Sequence, residues 1–398
     1  MPTTAEVILK PRKASPFFGR HPWVLDTAIA RVTGGPADGA EVNLLSDKGQ
    51  WIARGLFNSR SRIRVRLLTW AADEAIDGAF WRRRLEAAIA LRRQLGYDHP
   101  AGAARLVFSE SDGLSGLIVD RFAGHLVVQP TALAVARRLD EIVPILVDLV
   151  RPVGVAVRTE PGTVRLEGMD LEAGQVWGKP PEDVEFIEEH GIRYGVQMRD
   201  GQKTGFYLDQ RENRRAAAGY LHGRRVLDVC CYTGGFSLAA SILGGAKEVI
   251  GLDTSKPAVA LAQANAQLNG VANVHFETGD CFRSLQQRVE AGERFGAVIL
   301  DPPKFVRGRH GVPDALRAYH RLNHLAADLL EPDGMLVSCS CSGSVTREDF
   351  ASMLFGVAVK SRRDIQILEQ RAAAPDHPVL LTFPEGAYLK GVAARVDA

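Results

Sequence analysis

The stretch Arg225-Val226-Leu227-Asp228-Val229-Cys230-Cys231-Tyr232-Thr233-Gly234-Gly235-Phe236-Ser237-Leu238 narrows what this chain can fold into more than any other. An apolar strand (Val226, Leu227, Val229) carries an aspartate near its end, a tight Thr-Gly-Gly turn follows, and an apolar-periodic helix begins. That order is how doubly wound α/β sheets open a cofactor crevice. Gly234 and Gly235 let the backbone come close to a ligand. In a G-x-G-x-x-G frame, Cys230 and Tyr232 occupy the places where glycine makes room for a pyrophosphate. The turn suits a cofactor without a diphosphate bridge, and a nicotinamide dehydrogenase is disfavoured.

The residues after it extend the same pattern. Lys247-Glu248-Val249-Ile250-Gly251-Leu252-Asp253 reads as a second strand, ending about twenty residues past the glycines in an acid that can accept both ribose hydroxyls. A helix is expected over 257–269. A third strand runs through 274–278 to Gly279 and Asp280, and a fourth, Ala297-Val298-Ile299-Leu300, enters Asp301-Pro302-Pro303-Lys304-Phe305. A helix and a Pro332-Asp333-Gly334 turn precede a fifth, Met335-Leu336-Val337-Ser338-Cys339-Ser340-Cys341-Ser342-Gly343. Five strands with polar or reactive residues at their C-terminal ends place one site on one edge of the sheet. Residues 365–369, 378–383 and 389–396 are expected to add edge strands, an antiparallel pair among them.

The motifs Thr204-Gly205-Phe206-Tyr207-Leu208-Asp209-Gln210-Arg211, Asp228 to Phe236, Asp301 to Phe305 and Ser338 to Gly343 occur in an order that resembles class I S-adenosylmethionine-dependent methyltransferases. As a set they resemble the RlmI (YccW-like) family, which methylates carbon 5 of cytosine in large-subunit ribosomal RNA. One motif alone is weak; the four together are specific, and their order spans essentially the whole chain. The expected class is α/β, with a Rossmann-like methyltransferase sheet over 186–398, a small β-barrel over 1–72 and a middle α+β domain over 73–185. The resemblance implies S-adenosylmethionine as cofactor, large-subunit ribosomal RNA as partner, and a PUA-like, RNA-binding identity for the barrel. It also implies that the segment with Phe206, Tyr207 and Asp209 closes over the cofactor. Asp228, Thr233 and Gly234 would then hold the methionine end, Asp253 the ribose and Asp280 the adenine amine, with Cys281 or Phe282 packed near the ring.

Carbon 5 of cytosine is too weak a nucleophile to attack a methylsulfonium until a thiolate adds at carbon 6. In RNA enzymes with this chemistry a glycine opens the fifth strand and the nucleophilic cysteine lies seven residues on; Gly334 and Cys341 stand in that spacing. Cys341 is therefore preferred over Cys339, and the alternating serines 338, 340 and 342 suggest a polar, partly open setting for both. Cys230, Cys231 and Cys281 read as small buried residues. Asp301, on a backbone stiffened by two prolines, can hydrogen-bond the exocyclic amine or protonated N3 of the base. Lys304 stands where many related enzymes carry a second cysteine; it is expected to meet a phosphate or the base edge, and the base that removes the C5 proton is unassigned.

In the N-terminal region, eleven Lys and Arg face five Asp and Glu over residues 1–72. The strand Arg60-Ser61-Arg62-Ile63-Arg64-Val65-Arg66 alternates strictly, which predicts four guanidiniums on one face, suited to phosphates. The middle domain is expected to start with an amphipathic helix over 80–95, on which Arg82, Arg83, Arg84, Arg92 and Arg93 mostly look outward. Asp209 and Glu212 have capping-box spacing, predicting a helix over 209–220. Five cysteines without C-x-x-C spacing argue against a metal site and a disulfide framework. With no signal-like or membrane-length apolar run, the expected setting is cytoplasmic, without a membrane partner. A homodimer is left open. Competing readings are an exocyclic-amine N-methyltransferase, a uracil-C5 methyltransferase, both on RNA, and a non-catalytic RNA-binding protein.

Overall fold

The computed structural model describes residues 5–198, 205–305 and 308–397. Thr204 lies outside them. Two compact units emerge: Met1–Ile187 with Val196–Phe206 and Pro375–Gly386, and Glu188–Gly195 with Tyr207–Ala374 and Ala387–Ala398.

In the first unit the expected barrel is a six-stranded sheet in the order Trp23–Leu25, Ile63–Thr69, Trp51–Phe57, Glu41–Leu45, Ala5–Leu9, Ile29–Thr33. Alternate apolar residues such as Val42 and Leu44 bury one face against Val7, Ile52, Phe57 and Val65. The arginine stripe does not form as predicted. The strand starts three residues later than expected, so Arg60 and Arg62 lie in the turn before it, both exposed. Arg64 is half-buried and donates to Asn58 O at 3.2 Å. Arg66 is 8% exposed and pairs with Glu110 at 3.0 Å and Glu167 at 3.3 Å. Those two acids lie far along the chain, and strand alternation carries no information about them.

The rest of this unit is a five-stranded sheet, Gly174–Gly178, Gly154–Val157, His125–Pro130, Leu117–Phe122, Ala103–Phe108, with helices Gly78–Gln94 and Leu139–Val150 contributing to the same apolar core. Arg92, expected at the surface, is fully buried. Its guanidinium donates to Arg105 O (2.8 Å), Asp112 Oδ1 (2.7 Å) and Asp376 O (2.7 Å). Residues 378–383 form no strand. They belong to the 375–386 excursion, held in this unit by the Arg105 N–H on Asp376 Oδ2 at 3.0 Å and by Phe383 packed edge-on against Trp23 with ring centres 4.6 Å apart. Buried polar and aromatic partners thus replace the ladder expected there.

The second unit is built on seven strands: β1 (Arg225–Val229), β2 (Glu248–Asp253), β3 (Val274–Thr278), β4 (Phe295–Leu300), β5 (Leu330–Ser340), β6 (Ile365–Arg371) and β7 (Lys390–Val396), in the order β3-β2-β1-β4-β5-β7-β6. The first five are parallel; β7 runs antiparallel to both neighbours. The Pro332-Asp333-Gly334 turn is an irregularity inside β5: Phe295 pairs with Leu330, and the ladder resumes at Ala297 with Met335. Among the described residues, six α-helices accompany this sheet: α1 (Arg211–Ala218), α2 (Gly235–Ile242), α3 (Lys256–Leu268), α4 (Cys281–Glu290), α5 (Val312–Leu329) and α6 (Arg347–Ser361). The strand order reverses between β1 and β4, where doubly wound sheets open their crevice. Among the described residues no helix is long and apolar enough to cross a membrane, and no group of three or more His, Cys, Asp or Glu is placed to hold a metal ion.

Candidate active site

The turn after β1 carries backbone strain at the positions where sequence lacks glycine. Cys230 and Tyr232 adopt left-handed conformations, φ 63° and 50°, each costing about 1–2 kcal/mol for a residue with a side chain. Hydrogen bonds hold the turn in place: the Tyr232 N–H donates to Asp253 Oδ2 at 2.9 Å and the Cys231 N–H to Leu252 O at 3.0 Å. Gly234 is left-handed too, and a β-carbon there would stand 2.9 Å from the Phe276 ring. Strain over-determined by its surroundings is typical of a ligand clamp.

Two buried polar atoms beside this turn lack a protein partner. Asp228 is fully buried; Oδ2 accepts the Ser237 hydroxyl at 2.6 Å and Oδ1 accepts nothing. Thr233 Oγ1 is likewise buried and unsatisfied. Burial raises the Asp228 carboxyl to about 7. Orphaned buried oxygens are costly, and a ligand ammonium satisfies both the charge and the lone pairs, so these residues fit the methionine end of S-adenosylmethionine. Asp253 fixes the turn and the following Ser255 N–H (2.9 Å) with one lone pair on each oxygen, leaving others for hydroxyl groups. Asp280 is exposed and caps α4 through Arg283 N–H at 2.9 Å. Cys281 and Phe282 are half-buried against the apolar core, and Phe282 stands 6.2 Å from Phe305, ring to ring. Cys230 is half-buried rather than buried, and its interaction with Cys281 pushes Cys230 up and pulls Cys281 down.

Phe206 is buried at the end of the Val196–Phe206 segment of the first unit, and Tyr207 opens the Tyr207–Ala374 segment of the second. The Tyr207 ring meets Tyr232 edge-on at 5.3 Å. Its hydroxyl is pushed well up by burial and then by the charges of Asp301 and Cys341, so it stays a neutral donor. Asp209 does not cap a helix. It is buried, Oδ2 accepts the Tyr388 hydroxyl at 2.5 Å, and α1 begins at Arg211 without a side-chain cap. A partner 179 residues away in sequence outcompetes the local capping box.

Catalytic candidates converge at the ends of β4 and β5. Asp301 extends the β4 ladder by one bond, its N–H on Val229 O at 3.3 Å, and its Oδ1 accepts Gln210 Nε2 at 2.9 Å. Gln210 is oriented by Asn213 (2.6 Å), which is held by Arg371 (3.0 Å). The Cys341 thiol donates to Pro302 O at 3.9 Å, which brings the sulfur to the Asp-Pro-Pro turn. Cys341 is half-buried, whereas Cys339 is 1% exposed and its thiol is pushed well up by burial. The alternating serines do not mark an open setting: Ser338, Ser340 and Ser342 are all fully buried. Only the cysteine at the end of the strand has an open side. Lys304 is exposed on the same loop as Asp301.

Sequence reasoning missed Gln210, Tyr319, Tyr388 and Lys390. Tyr319 bonds Ser342 Oγ at 3.0 Å and packs on Phe305, centres 4.8 Å apart. Lys390 donates into the turn after Cys341. Gln210 lies beside Asp209 in a motif already noticed; Tyr319 on α5, Tyr388 in the loop before β7 and Lys390 at its start carry no local signal.

The S-adenosylmethionine-dependent methyltransferase pattern matches residues 169–381, and a PUA-like domain pattern matches residues 7–70. Proteins called ribosomal RNA large subunit methyltransferase I are similar over the full length. That of Erwinia tasmaniensis is 39% identical over 395 residues, 99% of this chain and 100% of that protein; that of Tolumonas auensis is 40% identical over 396 residues, 99% of each. Among solved structures, a putative SAM-dependent methyltransferase from Streptococcus mutans shares the fold with a TM-score of 0.84 at 20% identity, covering 98% of this chain and 99% of that one. Another, a putative methyltransferase complexed with SAH, superposes with a TM-score of 0.85, also at 20% identity and with the same coverage. With the reversed strand order, the clamp after β1 and these full-length relatives in agreement, this chain belongs to the ribosomal RNA large subunit methyltransferase I family of S-adenosylmethionine-dependent enzymes.

Proposed function

We propose that this enzyme methylates carbon 5 of a cytosine in large-subunit ribosomal RNA, in the cytoplasm, through a thioether to Cys341. What carries this is the half-open Cys341 thiol lying against the Asp301 turn while its neighbour Cys339 is sealed in the core. The names of the relatives supply the RNA class. S-adenosylmethionine, when bound, supplies an electrophilic methyl group on a sulfonium. The Cys341 thiolate adds to carbon 6, making carbon 5 an enamine nucleophile. Asp301, its carboxylate fixed by Gln210, hydrogen-bonds the amine or protonated N3 of the base and stabilises the adduct. After methyl transfer the C5 proton leaves, the S–C6 bond breaks, and the thiolate is regenerated. Asp228 and Thr233 hold the methionine end of the cofactor, and Asp253 its ribose.

Nucleoside mass spectrometry with chromatographic standards, on unmodified large-subunit ribosomal RNA incubated with the protein and S-adenosylmethionine, tests this. A 5-methylcytidine peak that Cys341→Ala abolishes and Cys339→Ala keeps is expected. An N-methylated nucleoside surviving Cys341→Ala would instead establish amine methylation.

Arg60 and Arg62, exposed before the strand, and half-buried Arg64 are the phosphate contacts of the barrel; Arg66 is committed to Glu110 and Glu167. Replacing Arg60 and Arg62 together with alanine should flatten the log–log salt dependence of RNA affinity by about 0.7 per lost contact, with S-adenosylmethionine affinity unchanged. An unaltered slope would return both to ordinary solvated surface.

A further inference from the structure

Lys390 opens β7 directly opposite Ser340 and is 3% exposed. An ammonium has three N–H donors and no acceptor. All three are taken by backbone carbonyls: Ser342 O and Val345 O, each at 2.6 Å, and Tyr388 O at 2.9 Å. Two of these belong to the turn that begins at Cys341 and ends at Thr346, the cap of α6. That turn is wrapped around a cation. A neutral amine donates only two hydrogen bonds, so the arrangement calls for the charged form.

A buried cation is costly unless an opposite charge lies close. The charged and titratable groups facing Lys390 are Cys341 after β5, Arg347 and Asp349 on α6, and Lys304 on the loop after β4. Asp349 is engaged in the α6 capping box, its Oδ2 on Thr346 N–H at 2.9 Å. Arg347 and Lys304 repel. Asp349 still offsets part of the Lys390 charge, and Cys341, once ionised, offsets more.

We propose that Lys390 is the positioning residue of the nucleophile: its ammonium holds the 341–346 turn in shape, and its charge favours the thiolate of Cys341, whose catalytic role it presupposes. A cation beside a thiol is a general device for making it reactive at neutral pH. The Cys341 S–H proton passes to water, the sulfur lone pair forms the bond to carbon 6, and Lys390 keeps its three protons throughout. Burial pushes Lys390 down to about 8, an effect that Cys341 opposes. The clamp is therefore fully charged below that value and is lost as pH rises through it.

The test uses the full chain with unmodified ribosomal RNA. Methyl-transfer kcat and KM are followed against pH, together with the rate at which iodoacetamide alkylates Cys341, read by peptide mass spectrometry. Wild type should lose kcat on the alkaline side with a midpoint near 8, and Lys390→Arg, which cannot lose its charge, should carry activity past it. Lys390→Gln should lower kcat about tenfold or more and slow Cys341 alkylation at neutral pH by a similar factor, the equivalent of one unit of thiol acidity, with KM for RNA unchanged. Normal kcat and normal alkylation in Lys390→Gln would overturn the assignment. So would a wild-type alkaline limb that coincides with that of Lys390→Arg, a comparison that decides the matter even where Lys390→Gln does not fold. Transfer that survives Cys341→Ala would remove the covalent mechanism, and the catalytic role of Lys390 with it. Transfer lost in Cys341→Ala but indifferent to Lys390→Gln would remove Lys390 alone.

Discussion

A buried carboxyl that titrates near neutrality makes the binding of a cation depend on pH, and Asp228, proposed above to hold the methionine end of the cofactor, is such a carboxyl. Its acidity is weakened by burial to about 7, so it is neutral below that pH and anionic above it. The cofactor brings cations, an ammonium and a sulfonium. Affinity for S-adenosylmethionine should fall as pH drops below about 7, by at most about tenfold per unit for one linked proton. Isothermal titration across that range checks this, and Asp228→Asn should flatten the curve. The same burial carries the opposite sign for stability. A raised carboxyl binds its proton more tightly folded than unfolded, so its contribution is present at low pH and lost as pH rises from the usual carboxylate range to about 7. That an acid stands near the end of β1 was legible from the strand pattern alone. That Oδ1 has no partner was not legible, since burial belongs to the fold.

Elements divide into those set by their own residues and those set by distant ones. β4 is buried along its whole length, and a continuous apolar run bounded by polar turns reads as a central parallel strand without help. The helix start at Thr346 is also local: its side chain accepts Asp349 N–H at 3.0 Å while Asp349 accepts Thr346 N–H. Thr346→Ala should cost about 1 kcal/mol, measurable as a lower denaturant midpoint with an unchanged slope. Asp209 has the same capping spacing and gives no cap, because Tyr388 takes its carboxylate. Likewise the β1 turn lacks two glycines of the familiar pattern yet takes left-handed backbone at both places. A sequence pattern reports the cheapest residue for a conformation, whereas hydrogen bonds from Asp253 and Leu252 can hold a costlier one.

Across the whole molecule, residues remote in sequence meet in buried charge networks that no local pattern announces. Arg92 joins Asp112, Arg105 and the 375–386 excursion inside the first unit. Arg92→Ala would leave Asp112 and three backbone carbonyls, those of Ala88, Arg105 and Asp376, without this donor in the interior, and should destabilise the unit by about 3–5 kcal/mol, read by chemical unfolding. The five strands of the doubly wound sheet were legible from residues near one another along the chain; Arg66, Arg92 and the course of residues 375–386 depend on pairs separated by tens to hundreds of positions.

The course of residues 375–386 also bears on how the protein is made. A polypeptide leaves the ribosome from its N-terminus, and domains tend to fold in that order as they emerge. Here the first unit contains Asp376 and Phe383, so its packing stays incomplete until the residues of the second unit up to Ala374 have been synthesised. β7, which separates β5 from β6, is later still. Neither half can settle early and wait for the other: residues 375–396 act as a closing stitch, and each unit is completed only after most of the other has been made.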